Sequence, residues 1–312
     1  MNKFRLSGKH SGNYWNRRKF VNALIVAGGF FPLLVKSASA RGASQPAGNS
    51  GKTVQQIIDM ILAEIPGAPF KQTVDTVKAG DANQQVRGIV TTMFPTDAVI
   101  EKAAKLGSNF IIAHEPSFYN HLDDTSWLEY DEVYKFKVDL LRRNGIAIWR
   151  FHDYIHSHRP DGVRMGVLTA LGWEKYYDSA KPQVLTIPAS RLGDVIDLFK
   201  DKLGISKLRF MGDLNQQCKR IAISPGAAGG RPQIETIRRE KPDLFVCGEL
   251  NEWETSEYVR DLRYMGSPTA LLVLGHIVSE EPGMQWLVDW LQPKVPDIPI
   301  THIPSKDAFT WA

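Results

Sequence analysis

Six side chains in this 312-residue chain have the types and spacing of metal donors. His114 and Glu115 are adjacent. His152 and His156 lie four residues apart, and so do His276 and Glu280. Four-residue spacing on a helix puts two side chains on one face. Imidazole suits zinc, iron and other borderline ions, while carboxylates suit harder ions and can bridge two of them. Each pair alone is a weak signal. Together they supply six donors, more than one tetrahedral ion takes. That count favours a two-metal centre, in which ions about 3.5–4 Å apart hold a bridging water, lower its pKa and clamp a phosphate or carbonyl oxygen.

The elements that must position these residues are short apolar runs. Ile111-Ile112-Ala113 leads into His114-Glu115-Pro116, and Ile148-Trp149-Arg150-Phe151 into His152-Asp153. Leu244 to Gly248 leads into Glu249, and Leu271 to Gly275 into His276. In open α/β sheets, ligands bind at the carboxyl ends of the strands. Four strands here bring His or carboxylate to that edge. Helical periodicity over 54–62, 97–106, 131–143, 161–171, 192–203, 234–240, 257–265 and 284–291 alternates with apolar runs at 86–93, 109–113, 146–151, 184–187, 208–211, 221–224, 244–247, 270–274 and 298–303. This alternation predicts an α/β protein with largely parallel sheets flanked by helices.

Other residues have open roles. Glu249 reads as a general base, as a group orienting a ligand histidine, or as an acid favoured at a helix N-terminus. Asp153 is a second candidate for moving a proton. His121, Asp123, Asp124 and His158 read as solvated loop residues with a lesser claim to face substrate. Arg150 is expected to pair with a buried acid, structurally or at the site. The Ser224-Pro225-Gly226-Ala227-Ala228-Gly229-Gly230 segment reads as a substrate-phosphate turn or a structural one, and matches neither common phosphate-loop pattern. Cys247 reads as core, and a disulfide between Cys218 and Cys247 is left open. No Ser or Cys sits in a recognisable nucleophile turn, which excludes a catalytic triad.

The chain is 43% apolar and 23% charged, as an ordinary globular protein is. Its net charge of +4 comes from the first forty residues, which carry seven Lys and Arg and no acid. The remainder holds 31 basic against 34 acidic residues, a net charge of −3, so the basic balance gives no case for nucleic acid. Residues 1–40 have the layout of an export signal: Arg17-Arg18-Lys19-Phe20, an apolar run, then Ala38-Ser39-Ala40. The arginine pair resembles a twin-arginine signal, which predicts cleavage after Ala40 and a periplasmic or otherwise exported protein. The apolar run falls short of the ~20 residues that span a bilayer, so no membrane span is expected after cleavage. Residues 41–52 read as a flexible linker and 53–312 as the folded body.

The order of these motifs resembles the NIF-three-like (NGG-one interacting factor three) dinuclear metal-centre family, from about Val54 to Phe309. Gly275-His276-Ile277-Val278-Ser279-Glu280 is the most specific match. The family's His-His-Pro stands here as His114-Glu115-Pro116, and its His-Thr-x-x-Asp as His152-Asp153-Tyr154-Ile155-His156. The resemblance implies metal ligation by His114, Glu115, His152, His156, His276 and Glu280. One histidine is exchanged for a carboxylate and one carboxylate for a histidine, so the total of four and two is kept. It also implies two divalent transition metal ions (zinc, iron or manganese), two related lobes at about 53–180 and 216–312 around a small insert at about 181–215, and a ring-shaped homohexamer. The function expected is metal-dependent hydrolysis of a small phosphoester or nucleotide-type molecule by a metal-bound hydroxide, with Glu249 or Asp153 moving the proton. The alternative is a non-enzymatic metal-binding or partner-binding scaffold.

Overall fold

The computed structural model describes residues 51–310. The expected signal, residues 1–40, and all but the last two residues of the expected linker lie outside the described residues. The first helix, α1 (Val54–Leu62), is capped by Thr53. The Thr53 Oγ1 accepts from the Gln56 amide, and the Gln56 side chain accepts from the Thr53 amide, an arrangement worth about 1 kcal/mol. There follow β1 (Val77–Ala79), β2 (Ile89–Thr92), α2 (Asp97–Lys105), β3 (Phe110–Ala113), α3 (Glu132–Asn144), β4 (Ala147–Arg150), α4 (Asp153–Ser157) and α5 (Gly162–Leu171). The chain continues through β5 (Val184–Arg191), α6 (Leu192–Leu203), β6 (Arg209–Met211), β7 (Gln217–Ser224), α7 (Gly230–Glu240), β8 (Leu244–Cys247), α8 (Glu257–Tyr264), β9 (Ala270–Val273), α9 (His276–Leu291) and β10 (Ile300–His302).

These strands form two five-stranded sheets, ordered β1-β4-β3-β2-β10 and β5-β7-β8-β9-β6. β4, β3, β2 and β10 run parallel in the first sheet, and β7, β8 and β9 in the second. β1, β5 and β6 are antiparallel edges. Every residue of β2, β3, β4, β8 and β9 is buried, as parallel strands covered on both faces require. The α/β class and largely parallel sheets expected from the alternation are therefore present.

Two long-range features were not expected. β10 returns from the chain's end to pair with β2. The stretch expected as a small insert, 181–215, supplies both edges of the second sheet. Helix α9 starts at His276, well before residue 284. Pro282-Gly283 looks like a break in sequence, yet the helix runs through it. A Cβ on Gly166 would meet the Pro282 carbonyl oxygen at 2.4 Å, and one on Gly283 would meet Val163 Cα at 2.8 Å. Glycine at both places lets α5 and α9 touch backbone to backbone. Met284, Leu287 and Leu291 of α9 join the first sheet's core, while Val167, Leu168 and Leu171 of α5 join the second's. The helix pair thus couples the two sheets.

Candidate metal centre

β3 and β4 are parallel neighbours, so they end on one edge. β3 delivers His114 and Glu115, β4 delivers His152, and α4 carries His156 one turn further. On the second sheet, β9 ends at Val273 and the chain turns into α9 at Gly275, whose φ of 105° suits glycine. α9 then opens with His276 and presents Glu280 one turn on.

All six expected donors meet. His276 Nε2 lies 3.0 Å from Glu280 Oε2 and 3.1 Å from Glu115 Oε1. His114 Nε2 is 3.4 Å from Glu280 Oε2, His152 Nε2 is 3.9 Å from Glu115 Oε1, and His156 Nε2 is 4.0 Å from Glu280 Oε1. Four imidazole Nε2 atoms therefore face two carboxylates.

Three of the four rings are held from behind by a hydrogen bond at Nδ1. His114 bonds the Phe151 carbonyl at 3.2 Å, His152 bonds Asp153 Oδ1 at 3.0 Å, and His156 bonds Asp161 Oδ2 at 3.1 Å. His276 Nδ1 lies 3.7 Å from Glu249 Oε2, a looser pairing. Such partners fix ring orientation and tautomer and raise the basicity of the facing nitrogen. Asp75 pins the turn between β4 and α4 by accepting the amides of His152 and Tyr154, each at 2.8 Å. Burial pushes its carboxyl up to about 6 against the pull of those amides.

Electrostatics follow from this packing. Burial would raise Glu280 and Glu115, but the histidines beside them hold both carboxyls below their ordinary range. Burial would lower His276, yet hydrogen bonds to Glu115 and Glu280 hold it up at about 10. Burial and the neighbouring His114 push His152 down to about 4, which keeps a lone pair on its ring.

The donor set fits a metal. His114 Nε2 is buried with no hydrogen-bond partner among the described residues, for its approach to Glu280 lacks hydrogen-bond geometry. An unpaired buried polar group costs roughly 1–3 kcal/mol, a cost that coordination removes. His114, His152 and His156 bring donor atoms within 4.8 Å of one another, and His114, Glu115 and Glu280 do the same. Either cluster could hold a metal ion.

The remaining candidates separate by position. Asp153 sits behind His152, with Oδ2 accepting from Thr73 Oγ1 at 2.8 Å and from the Val74 amide at 3.1 Å. Its Oδ1 thus orients the ring, while its Oδ2 is occupied by Thr73 and Val74. The Glu249 side chain is 56% exposed and lines a cleft of about 630 Å³ together with Glu115, His276, Phe94, Tyr119 and Lys306. Arg150 pairs with Glu115, as expected of a buried strand cation. His121 contacts Arg150 through its carbonyl. Asp123 pairs with Lys78, Asp124 bonds Ser126 in an exposed loop, and His158 packs against Trp286 and Trp290. Cys218 and Cys247 are buried free thiols, pushed up to about 11 and about 12 by burial.

The Ser224–Gly230 segment serves the centre differently from a phosphate loop. Gly226, at φ 66°, lies against Glu280, where an added Cβ would come within 2.1 Å of Oε1. Its amide donates to Ser279 Oγ at 2.9 Å, and its carbonyl accepts from the Glu249 amide at 3.0 Å. Asp161, read from sequence as a helix start, caps α5 through Oδ1 and anchors His156 through Oδ2. Its second role had no local signal.

Fold and donor set together define a two-sheet α/β protein whose strand ends could hold a metal ion. Residues 53–308 match the family described as Duf34/NIF3 (NGG1p interacting factor 3), and the chain belongs to it. The chain is 26% identical over 261 residues to a GTP cyclohydrolase 1 type 2 homolog of Clostridium perfringens, covering 80% of this chain and 94% of that protein. It is 24% identical over 228 residues to the protein of the same name in Escherichia coli strain K12, covering 72% and 86%. A Bacillus cereus protein related to NIF3 shares the fold with a TM-score of 0.67 at 17% identity, covering 84% and 99%. A Staphylococcus aureus hypothetical protein does so at 0.66 and 20%, covering 83% and 99%.

Proposed function

We propose that this protein is a metal-dependent hydrolase with a dinuclear centre, acting on a small phosphoester or nucleotide-type molecule. The observation that carries the reading is the convergence of four Nε2 atoms on two carboxylates, three of the rings hydrogen-bonded from behind through Nδ1. His114, Glu115, His152, His156, His276 and Glu280 would hold two divalent ions, with zinc, iron and manganese as candidates. When bound, such ions acidify water and stabilise charge developing on a substrate oxygen.

The chain's own residues divide the remaining work. Asp153, Asp161 and the Phe151 carbonyl orient the rings. Glu249, exposed at the cleft and beside His276 Nδ1, takes and returns the proton of the attacking water. Asp153, with both oxygens occupied, has the orienting role. Phe94 and Tyr119 give the cleft apolar faces, and Lys306 in its lining gives a cation for an anionic substrate. A nucleotide-type substrate accords with the name the relatives carry. The twin-arginine layout of residues 1–40 supports an exported protein, where nucleoside triphosphates are scarce, so monophosphate esters are the first substrates to try.

The test is turnover of a panel of phosphoesters and nucleotides by zinc-, iron- and manganese-loaded protein, compared with Glu249→Gln. Hydrolysis by the wild type that falls about 10²- to 10⁴-fold in the variant, at equal metal content, is the expected result. Fully loaded protein that turns over nothing in the panel would favour the scaffold.

A further inference from the structure

The two carboxylates of the centre differ in what holds them. Glu280 turns both oxygens toward imidazoles: Oε2 toward His276 and His114, Oε1 toward His156. Glu115 turns Oε1 toward His276 and His152, but its Oε2 points back to Arg150 Nη2 at 3.3 Å. Arg150 is fully buried at the end of β4. Its Nε donates to the His114 carbonyl at 3.3 Å, and its Nη1 donates to the His121 carbonyl and lies 3.5 Å from Asp123 Oδ2. Asp123 also meets Lys78 Nζ at 3.3 Å and accepts from the Ser117 and Phe118 amides. Two acids and two cations thus form a balanced buried cluster. The Glu115 charge is offset within it, whereas the Glu280 charge faces only imidazoles.

We propose that Arg150 is a positioning residue that limits Glu115 to one donor oxygen and offsets its charge, and so biases the centre toward borderline ions such as zinc over harder ions such as manganese. The inference rests on the metal-centre reading given above. A carboxylate tied through one oxygen offers a cation one atom and little net charge, as a neutral imidazole does. Freed, it offers two oxygens and a full negative charge, which harder oxygen-seeking ions favour. A guanidinium can do this where an ammonium cannot. Its planar fork reaches Glu115, Asp123 and two carbonyls at once, while lysine is a point charge on a flexible stem.

The experiment measures zinc and manganese affinities of the full chain by chelator competition, in the wild type, in Arg150→Lys and in Arg150→Met/Glu115→Gln. In Arg150→Lys the zinc-to-manganese affinity ratio is expected to fall by about 10- to 100-fold, the size of effect that outer partners of metal ligands have. The double variant is expected to return the ratio toward the wild-type value, because a neutral amide again presents one oxygen with no net charge. A metal-binding wild type whose ratio is unchanged in Arg150→Lys overturns the role of Arg150 and leaves the metal centre standing. A folded wild type that takes up neither ion overturns both. If Arg150→Lys does not fold, metal-induced infrared difference spectra of the wild type decide. A carboxylate whose antisymmetric and symmetric stretches stay widely split, as for one-oxygen coordination, supports the proposal, and narrow splitting throughout overturns it.

Discussion

The two sheet edges that meet at the centre are built by different means. The first sheet's edge contributes His114, Glu115, His152 and His156, and every one has a buried or half-buried partner behind it: the Phe151 carbonyl, Arg150, Asp153 and Asp161. The second sheet's edge contributes His276 and Glu280 from the first turns of α9, held by backbone shape. Gly275 turns the chain, Gly226 closes on Glu280, and Gly248 leaves room for Ser279, whose Oγ an added Cβ would meet at 2.4 Å. The anchor of His276, Glu249, is exposed and 3.7 Å away. One edge is a preset cradle of donors. The other brings a carboxylate that faces three imidazoles and a loosely placed acid open to the cleft.

Four substitutions probe this division, ordered by their expected effect on metal retention. Glu280→Ala removes the carboxylate that faces His114, His156 and His276 together, and should lower metal affinity by more than about 100-fold, beyond what loss of an outer partner costs. Elemental analysis after gel filtration would show it, and full retention would mean that the second edge is dispensable. Asp161→Asn leaves the α5 cap in place but weakens the hold on His156, and is expected to cost about 10- to 100-fold in affinity by chelator competition.

Gly226→Ala acts through shape. A side chain there must shift Glu280 and adopt a left-handed backbone, with an expected stability loss of roughly 1–3 kcal/mol in urea unfolding. Metal affinity should fall less than for Asp161→Asn. Unchanged stability would show that the loop moves freely away from Glu280. Glu249→Gln should leave metal content within error of the wild type while lowering turnover. Loss of metal in this variant would make Glu249 part of the cradle and erase the contrast between the edges.

Much of this was legible in the sequence because it is local. Continuous apolar runs that stop abruptly at His114, His152 and His276 mark strand ends, and parallel strands must present such ends together. The i, i+4 pairing of His276 with Glu280 follows from helix geometry alone. What could not be read is non-local. The pairing of β10 with β2 joins segments about 210 residues apart, and no local pattern encodes it. Helix α9 carries Pro282 in its interior, and the close approach of Gly166 from α5 to Pro282 and Gly283 has no local signal. Asp161 announces itself as a helix cap, and its hold on His156 emerges only from the fold. The Gly226 turn reads as a substrate-phosphate turn or a structural one, since glycine serves any close approach, whether to a phosphate or to a carboxylate of the same chain.

The most direct measurement is the metal content per chain of the full protein, by elemental mass spectrometry, beside a His276→Ala/Glu280→Ala variant. Two equivalents of transition metal in the wild type, lost in a variant that remains folded, is the result expected of a dinuclear centre shared between the edges. A folded wild type that stays metal-free after incubation with zinc, iron or manganese would contradict it.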